Sequence, residues 1–264
     1  MVTRDEILSE LGLLPVWRSR VRRDAATSPA EHEHLVAEAP PAAGAREAPG
    51  AVTPSDRLHR IAALTWPTFA QDVEACTACG LCRTRNKAVP GVGDVRAEWL
   101  FVGEAPGAEE DARGEPFVGQ AGRLLDNMLA ALGMRRGKNV YIANVLKCRP
   151  PGNRAPEPLE VEACRPYLDR QIALIGPKLI VTLGKSAATT LLNVDATIAS
   201  LRGRVHRYRG VPLVVTYHPA YLLRNLPDKA KAWEDLCLAR ATMRRLQDGG
   251  DEILRLQDAG ADPI

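Results

Sequence analysis

The chain has 264 residues, of which 45% are hydrophobic and 25% charged, and a formal net charge of +3. These values exclude a fibrous or wholly disordered protein, and the mild charge permits a nucleic-acid partner without indicating one. No apolar run approaches the ~20 residues that cross a bilayer and no signal-peptide pattern opens the chain, so we expect a cytoplasmic protein with no membrane contact and reduced cysteines.

The first 65 residues are predicted to form a largely disordered N-terminal extension. A short helix with one apolar face is expected at 4–13, and Trp17 follows inside a basic cluster. Residues 24–56 are rich in Ala, Pro, Glu and Gly, a composition that buries little and indicates a disordered linker. Residues 1–23 are therefore either a docking element for a protein partner or a weakly ordered tail.

Residues 66–247 carry an alternating α/β pattern, and 248–264 read as a flexible tail. Apolar runs rich in β-branched residues predict strands at 98–103, 140–146, 178–183 and 211–217. Amphipathic stretches predict helices at 120–133, 157–175, 185–192 and 228–247. Strands that alternate with helices indicate an α/β fold with a parallel sheet covered on both faces.

The loop after the first predicted strand is the clearest candidate site. It reads Gly-Glu-Ala-Pro-Gly at 103–107 and continues to Gly-Glu-Pro-Phe-Val-Gly at 114–119. A strand, a tight loop and a helix form the usual ligand site in an open α/β sheet. Three further carboxylates, at 109–111, lie close in sequence to Glu104. The alternative is an ordinary βα turn that uses Gly and Pro as turn residues.

Five of the six cysteines form a pattern typical of a metal centre. Cys76-x₂-Cys79-x₂-Cys82 is followed by Cys148 and Cys164, whereas Cys237 lies on the apolar face of the last helix and reads as a core thiol. Two pairs of thiolates complete four-coordinate ligation of zinc or of an iron–sulfur cluster. The third cysteine of the first segment favours iron–sulfur, but spacing does not decide between the two metals, and reduced cysteines without metal remain the alternative.

Four blocks, read together, carry a family resemblance. They are Cys76-x₂-Cys79, GEAPGAEEDARGEPFVGQAG at 103–122, YIANVLKCRPPGNRAPEP at 141–158 and HPAYLLRN at 218–225. In this order they closely resemble the family 4 uracil-DNA glycosylases, the iron–sulfur members of the uracil-DNA glycosylase superfamily. The resemblance covers roughly 66–245. It implies a monomeric, three-layer α/β/α enzyme with a central four-stranded parallel sheet.

The resemblance also implies a cofactor, a substrate and a reaction. A structural 4Fe–4S cluster would be held by Cys76, Cys79, Cys148 and Cys164, which leaves Cys82 spare. The substrate would be uracil-containing DNA, single- or double-stranded. Uracil would be flipped into a pocket and its N-glycosidic bond hydrolysed, which leaves an abasic site in base excision repair of deaminated cytosine.

By motif position, Glu104 would orient the attacking water near the sugar, and His218 would donate a hydrogen bond to uracil O2 as negative charge develops there. Asn144 offers a donor and an acceptor that match uracil and mismatch cytosine. An ordinary turn histidine and a structural asparagine are the plain alternatives.

Further pocket roles follow from the same motifs. Phe117 resembles the aromatic residue that stacks on uracil, although such a residue is more often core. The backbone of Ala105 would line the pocket, and Glu110 matches a carboxylate near the uracil edge that helps to exclude the methyl group of thymine.

The resemblance places DNA contacts after the histidine. Leu222 or Leu223 would fill the gap left by the flipped nucleotide, although adjacent leucines ordinarily mean core, and Arg224 would hold phosphate. Other basic residues near strand ends are phosphate-binding candidates, with a solvated surface as the alternative: Lys147, Arg149, Arg154, Lys185, Arg202 and Arg204.

One related branch of the superfamily traps uracil-DNA covalently through a histidine in an added loop after the second block and has Gln in place of Ala105. Here that loop has no histidine, and His206 lies in a different segment. No lysine matches a Schiff-base position. We therefore expect turnover by a monofunctional glycosylase.

Two rival interpretations come from other classes. A non-catalytic iron–sulfur or zinc DNA-binding accessory factor would keep the cysteines but would not need Glu104, Asn144 and His218 together. An electron carrier would need an exposed cluster, and a cluster inside an α/β domain suits that role poorly.

Overall fold

The computed structural model describes residues 54–249. The helix predicted at 4–13, nearly all of the predicted linker and the tail from 250 onward lie outside the described residues. The strands in the described part are β1 Val92–Gly93, β2 Trp99–Gly103, β3 Val140–Asn144, β4 Leu179–Leu183, β5 Val205–Tyr208 and β6 Val211–Thr216. The helices are α1 Pro54–Ala63, α2 Trp66–Glu74, α3 Ala108–Arg113, α4 Gln120–Ala131, α5 Pro158–Ile175, α6 Lys185–Leu192, α7 Ile198–Leu201, α8 Pro219–Leu222 and α9 Asp228–Gln247.

The strands form one mixed sheet in the order β1-β3-β2-β4-β6-β5. The four inner strands, β3, β2, β4 and β6, are parallel, and the edge strands β1 and β5 run antiparallel to their neighbours. The α/β class is confirmed, but the sheet has six strands of mixed orientation rather than the four parallel strands that were expected. The four strands that sequence predicted are the inner ones, and each begins and ends within two residues of its prediction.

Both edge strands lack the signals that marked the inner strands. The strand β1 has only two residues, too few to show alternation or an apolar run. The strand β5 is polar, and it joins β6 through Arg209 and Gly210, whose φ angles are 49° and 83°. Two successive residues with positive φ form the tight turn of a two-residue hairpin, but Arg-Gly is not the usual sequence for that turn.

Helices cover both faces of the sheet. On β2, Leu100 and Val102 pack in one core cluster with residues of α5 and α6. Trp99 and Phe101 pack in a second cluster with residues of α4 and α9. Successive strand side chains point to opposite faces, so this division places helical layers on either side of the sheet.

The helix α1 lies within the segment predicted as the N-terminal extension. Its Ile61 is 1% exposed and shares a small apolar cluster with Phe69 of α2 and Tyr167 of α5. No helix between residues 54 and 249 combines the length and hydrophobicity that crossing a bilayer requires.

Candidate active site

The predicted site residues meet in a cleft of about 480 Å³ at the carboxyl edge of the parallel strands. Glu104 follows β2, Asn144 ends β3 and His218 lies two residues beyond β6. Loops after parallel strands converge on one edge of a sheet, which is where open α/β folds bind ligands. The other predicted residues that line the cleft are Ala105, Glu110, Phe117, Arg154 and Arg224.

Asn144 presents an unpaired acceptor in this cleft. Its side chain is 2% exposed, and its Oδ1 has no hydrogen-bond partner in the described part of the chain. A Cβ on the adjacent Gly103 would lie 2.4 Å from that Oδ1 and 2.6 Å from the Phe117 ring, so glycine is required for their close approach. A buried acceptor without a partner is costly, and a ligand that donates a hydrogen bond would satisfy it.

The imidazole of His218 is held as a neutral donor. Its Nδ1 accepts a hydrogen bond from the backbone N of Ala220 at 3.1 Å, which leaves the proton of the neutral ring on Nε2. Burial, helped by the Arg224 guanidinium and opposed by Glu110, lowers the pKa of His218 to about 4. The ring stacks on Phe117 with centroids 5.5 Å apart.

The carboxylate of Glu104 is half-buried beside the start of α6. Burial raises its pKa above the ordinary value of 4.5, and a hydrogen bond with Ser186 opposes that shift. The backbone is fixed as well, because the carbonyl oxygen of Glu104 accepts from Leu146 N at 3.0 Å. Ser186 lies just after the strand β4, and no sequence motif marks it.

Glu110 has a structural role in the loop. Its Oε1 accepts from the backbone N atoms of Val118 and Gly119 at 2.9 and 3.1 Å, and its Oε2 accepts from Gly107 N at 3.1 Å. The side chain therefore ties the two halves of the 103–119 loop together, in addition to lining the cleft.

Phe117 is held in a conformation that a non-glycine residue rarely adopts. Its φ is 55° and its side chain is 6% exposed. Arg136 donates to the carbonyl oxygens of Pro116 and Phe117 at 2.7 and 2.8 Å, which fixes this backbone. A strained backbone conformation of this kind persists only where surrounding contacts hold it in place. No sequence motif marked Arg136 for this role.

Gly122 makes the Phe117 turn possible and provides a stability prediction. A Cβ at Gly122 would lie 1.7 Å from the Phe117 carbonyl oxygen. Gly→Ala in a helix ordinarily stabilises by about 1 kcal/mol, but here we expect Gly122→Ala to lower the free energy of unfolding by about 2 kcal/mol or more. Denaturant unfolding measures the change, and an unchanged or raised stability would contradict the contact.

The two leucines of the last motif differ in exposure. Leu222 is 1% exposed and packs with Tyr217 and Ala232, so it is the less accessible of the two candidates for filling the gap in DNA. Leu223 is 42% exposed, and Arg224 is exposed at the cleft. Helical spacing in α8 turns Leu222 inward, whereas Leu223 follows the last turn and points away from the core.

Burial contradicts the predicted phosphate contact of Lys147, and Arg202 already has acidic partners. Lys147 is 1% exposed, and its ammonium donates to the Asn144 carbonyl oxygen at 2.7 Å. Arg202 pairs with Asp235 at 3.0 Å and Glu234 at 3.1 Å. Arg154 lines the cleft and forms a two-point contact with Glu160. Other cleft residues that sequence did not single out are Pro150, Asn153 and Tyr221.

Cys76, Cys79, Cys82, Cys148 and Cys164 line one cavity. Within residues 54–249, no three His, Cys, Asp or Glu side chains are placed to hold a single metal ion. The donor set fits a larger anionic thiolate centre, because cationic groups adjoin it. Arg85 Nη1 donates to Cys148 Sγ at 2.9 Å, and Arg57 Nη2 lies 3.9 Å from Cys76 Sγ.

The thiol of Cys164 needs such a centre to become a thiolate. Burial raises the pKa of Cys164 to about 12, against the opposing charge of Lys147. A bound metal centre holds its cysteine ligands deprotonated. The four cysteines of the predicted ligand set and the spare Cys82 thus share a cavity suited to a sulfur-ligated cluster.

Comparisons with known proteins agree with this geometry. The profile of the uracil DNA glycosylase superfamily matches residues 90–237. The type-4 uracil-DNA glycosylase of Archaeoglobus fulgidus is 48% identical over 163 residues, which are 59% of this chain and 81% of that protein. The type-4 enzyme of Thermotoga maritima is 41% identical over 67% of this chain and 93% of its own length.

A type-5 uracil-DNA glycosylase of Pyrobaculum aerophilum is 33% identical over 53% of this chain and 69% of that protein. The two type-4 relatives therefore share a larger fraction of identical residues with this chain than this type-5 enzyme does. The chain belongs to the uracil-DNA glycosylase superfamily and, within it, to the type-4 uracil-DNA glycosylases.

Proposed function

We propose that the protein is a monofunctional glycosylase that releases uracil from DNA and leaves an abasic site for base excision repair. The observation that carries this proposal is the pairing of groups in one cleft: the unpaired acceptor of Asn144 and the neutral Nε2 donor of His218. A DNA-binding accessory factor would have no use for this pair.

Uracil recognition rests on Asn144. Its Oδ1 accepts from uracil N3–H and its Nδ2 donates to O4. Cytosine presents an acceptor at N3 and a donor at C4, so it would leave both groups of the amide unpaired. Phe117 offers a ring face to the base, the backbone of Ala105 lines the pocket, and Glu110 shapes the wall near the uracil edge.

Release of the base leaves negative charge on uracil and positive charge on the sugar, and groups in the cleft stabilise both charges. As the N1–C1′ bond breaks, its electron pair moves to uracil, and His218 Nε2–H donates to O2, where negative charge develops. Glu104 orients a water whose oxygen forms the new bond to C1′, and the carboxylate accepts the proton of that water. Its negative charge also favours the cationic sugar.

No lysine lines the cleft in the described part of the chain, so no side chain there can form a Schiff base. His206 lies on β5, where its Nε2 contacts the Leu201 carbonyl oxygen, and it does not line the cleft. Both observations support simple turnover without covalent capture or backbone cleavage.

The exposed Leu223 fills the space of the flipped nucleotide, and Arg224 holds an adjacent phosphate. A 4Fe–4S cluster on Cys76, Cys79, Cys148 and Cys164 would supply structural cross-linking of distant loops rather than chemistry on the base.

We further propose that the enzyme is monomeric and cytoplasmic. Its catalytic domain comprises residues 66–247, preceded by the extension 1–65 and followed by the tail 248–264. Within the extension, residues 1–23 dock a protein partner. Sequence alone supports these assignments.

The test uses two labelled oligonucleotides that each contain one uracil, one single-stranded and one paired opposite guanine. Strand scission only after alkali, much slower with Asn144→Ala, establishes a monofunctional glycosylase that uses this cleft. An oligonucleotide with cytosine at the same position is the specificity control. Intact uracil-DNA after incubation with folded, cluster-loaded protein would contradict the proposal.

Gly184 provides a prediction about the position of His218. Its φ is +95°, and a Cβ there would lie 2.9 Å from the His218 Cβ. We expect Gly184→Ala to displace the imidazole and to slow uracil release by about 10- to 100-fold, because small misplacements of catalytic groups have large effects. Single-turnover rates measure the change.

The matched control is Gly176→Ala. Gly176 also has a positive φ, +59°, but a Cβ there would meet no atom within 4 Å. Both substitutions place alanine at a positive φ and should lower the stability of the fold. Only Gly184→Ala should also slow uracil release by the protein that remains folded. Equal rates in the two variants would show that the contact with His218 does not matter.

A further inference from the structure

Lys147 joins the cysteine cavity to the uracil pocket. The side chain is 1% exposed, and its Nζ donates to the backbone oxygen of Asn144 at 2.7 Å and to Gln171 Oε1. The backbone N of the same residue donates to Cys164 Sγ at 3.2 Å. Lys147 thus contacts both Asn144, at the end of β3, and Cys164, a cysteine of the predicted ligand set.

The charge of Lys147 has no carboxylate partner. Among residues 54–249 its ammonium forms no ion pair with Asp or Glu, and both of its hydrogen-bond acceptors are neutral oxygens. A buried charge is costly without compensation, so the ammonium depends on these two hydrogen bonds, one of which holds it against the Asn144 backbone.

We propose that Lys147 is a positioning residue that couples the cysteine-held cluster to uracil recognition, by holding the backbone of Asn144 in place while the thiolate site is intact. This inference rests on the function proposed above. Loss of the cluster would release Cys164, which accepts from the backbone N of Lys147, and Cys148, the next residue in the chain, and would thereby weaken the support of Asn144. Because coupling between two sites is reciprocal, uracil in the pocket must in turn favour the cluster-loaded state.

Gln171 fixes the other side of the ammonium. Its Nε2 donates to the Pro90 carbonyl oxygen at 2.6 Å and lies 3.3 Å from the Tyr141 hydroxyl, so its Oε1 is aimed at Lys147. The lysine is therefore held between Gln171 and Asn144. Displacement of the ammonium would act on the Asn144 backbone because that contact is direct.

The test measures iron release from the loaded protein to an excess chelator, with and without saturating free uracil. In the wild type we expect uracil to slow iron release about 5-fold or more, the lower end of typical coupling between sites. Lys147→Met should still bind iron, but uracil protection should fall below about 2-fold, and the Kd for uracil should rise about 10-fold. A purely structural lysine would change iron content or stability without removing uracil-dependent protection.

The exposed Lys138 provides the control variant Lys138→Met, which should behave as wild type. If Lys147→Met does not load a cluster, Gln171→Leu removes the other acceptor and should show the same loss of protection. Uracil release from DNA by the wild type is measured first, and its absence would contradict the proposed function. The coupling would be overturned if the wild type releases uracil from DNA but uracil does not slow its loss of iron. It would also be overturned if uracil slows iron loss as strongly in a cluster-loaded Lys147 or Gln171 variant as in the wild type.

Discussion

His218→Ala is expected to slow uracil release by about 100- to 1,000-fold, the usual cost of removing one donor to a developing oxyanion. The Ala220 amide occupies Nδ1, so the neutral ring presents Nε2–H to the base. Burial lowers the pKa of His218 to about 4, so the ring stays neutral through the physiological range. Single-turnover kinetics on both uracil substrates measures the loss.

His206→Ala is the matched control. His206 lies on the edge strand β5 and contacts the Leu201 carbonyl oxygen, away from the cleft. We expect near-wild-type rates from this variant and equal cluster absorbance in both. A His218→Ala rate within about 3-fold of wild type, in folded protein, would remove His218 from the proposed mechanism.

Sequence predicted the inner sheet because its strands are buried on both faces. Trp99–Gly103 and Leu179–Leu183 are fully buried and therefore read as continuous apolar runs. The edge strands were missed because Val92–Gly93 is short and Val205–Tyr208 is polar. Local composition does not encode pairing at a sheet edge.

The candidate site was predicted from motif order, and the errors arose where burial depends on tertiary packing. Leu222 and Leu223 are equivalent in sequence, but only the first is buried against Tyr217. Lys147 read as a surface cation because lysine is seldom buried, yet it is 1% exposed and lines the cysteine cavity. The hydrogen bond between Glu104 and Ser186 joins the loop after β2 to the first turn of α6 and has no local signal in the sequence.

Glu104→Gln is expected to slow uracil release by about 100- to 10,000-fold, the range of a positioned general base, and to flatten the acid side of the pH–rate profile. Burial raises the pKa of Glu104, so its carboxylate is present above that raised value and is lost as pH falls through it. The wild-type rate should therefore begin to fall at a pH above the ordinary glutamate value of 4.5. His218 is neutral above about pH 5 and adds no transition there.

Ser186→Ala tests the same assignment without removing the carboxylate. The Ser186 hydrogen bond lowers the pKa of Glu104 against the effect of burial, so its loss should move the acid-side transition to higher pH while the rate at high pH remains measurable. Rates from pH 5 to 9 on single-stranded uracil-DNA record the shift. If the transition persists in Glu104→Gln, or moves to lower pH in Ser186→Ala, it belongs to the titration of another group. Glu104 would then not have its proposed role.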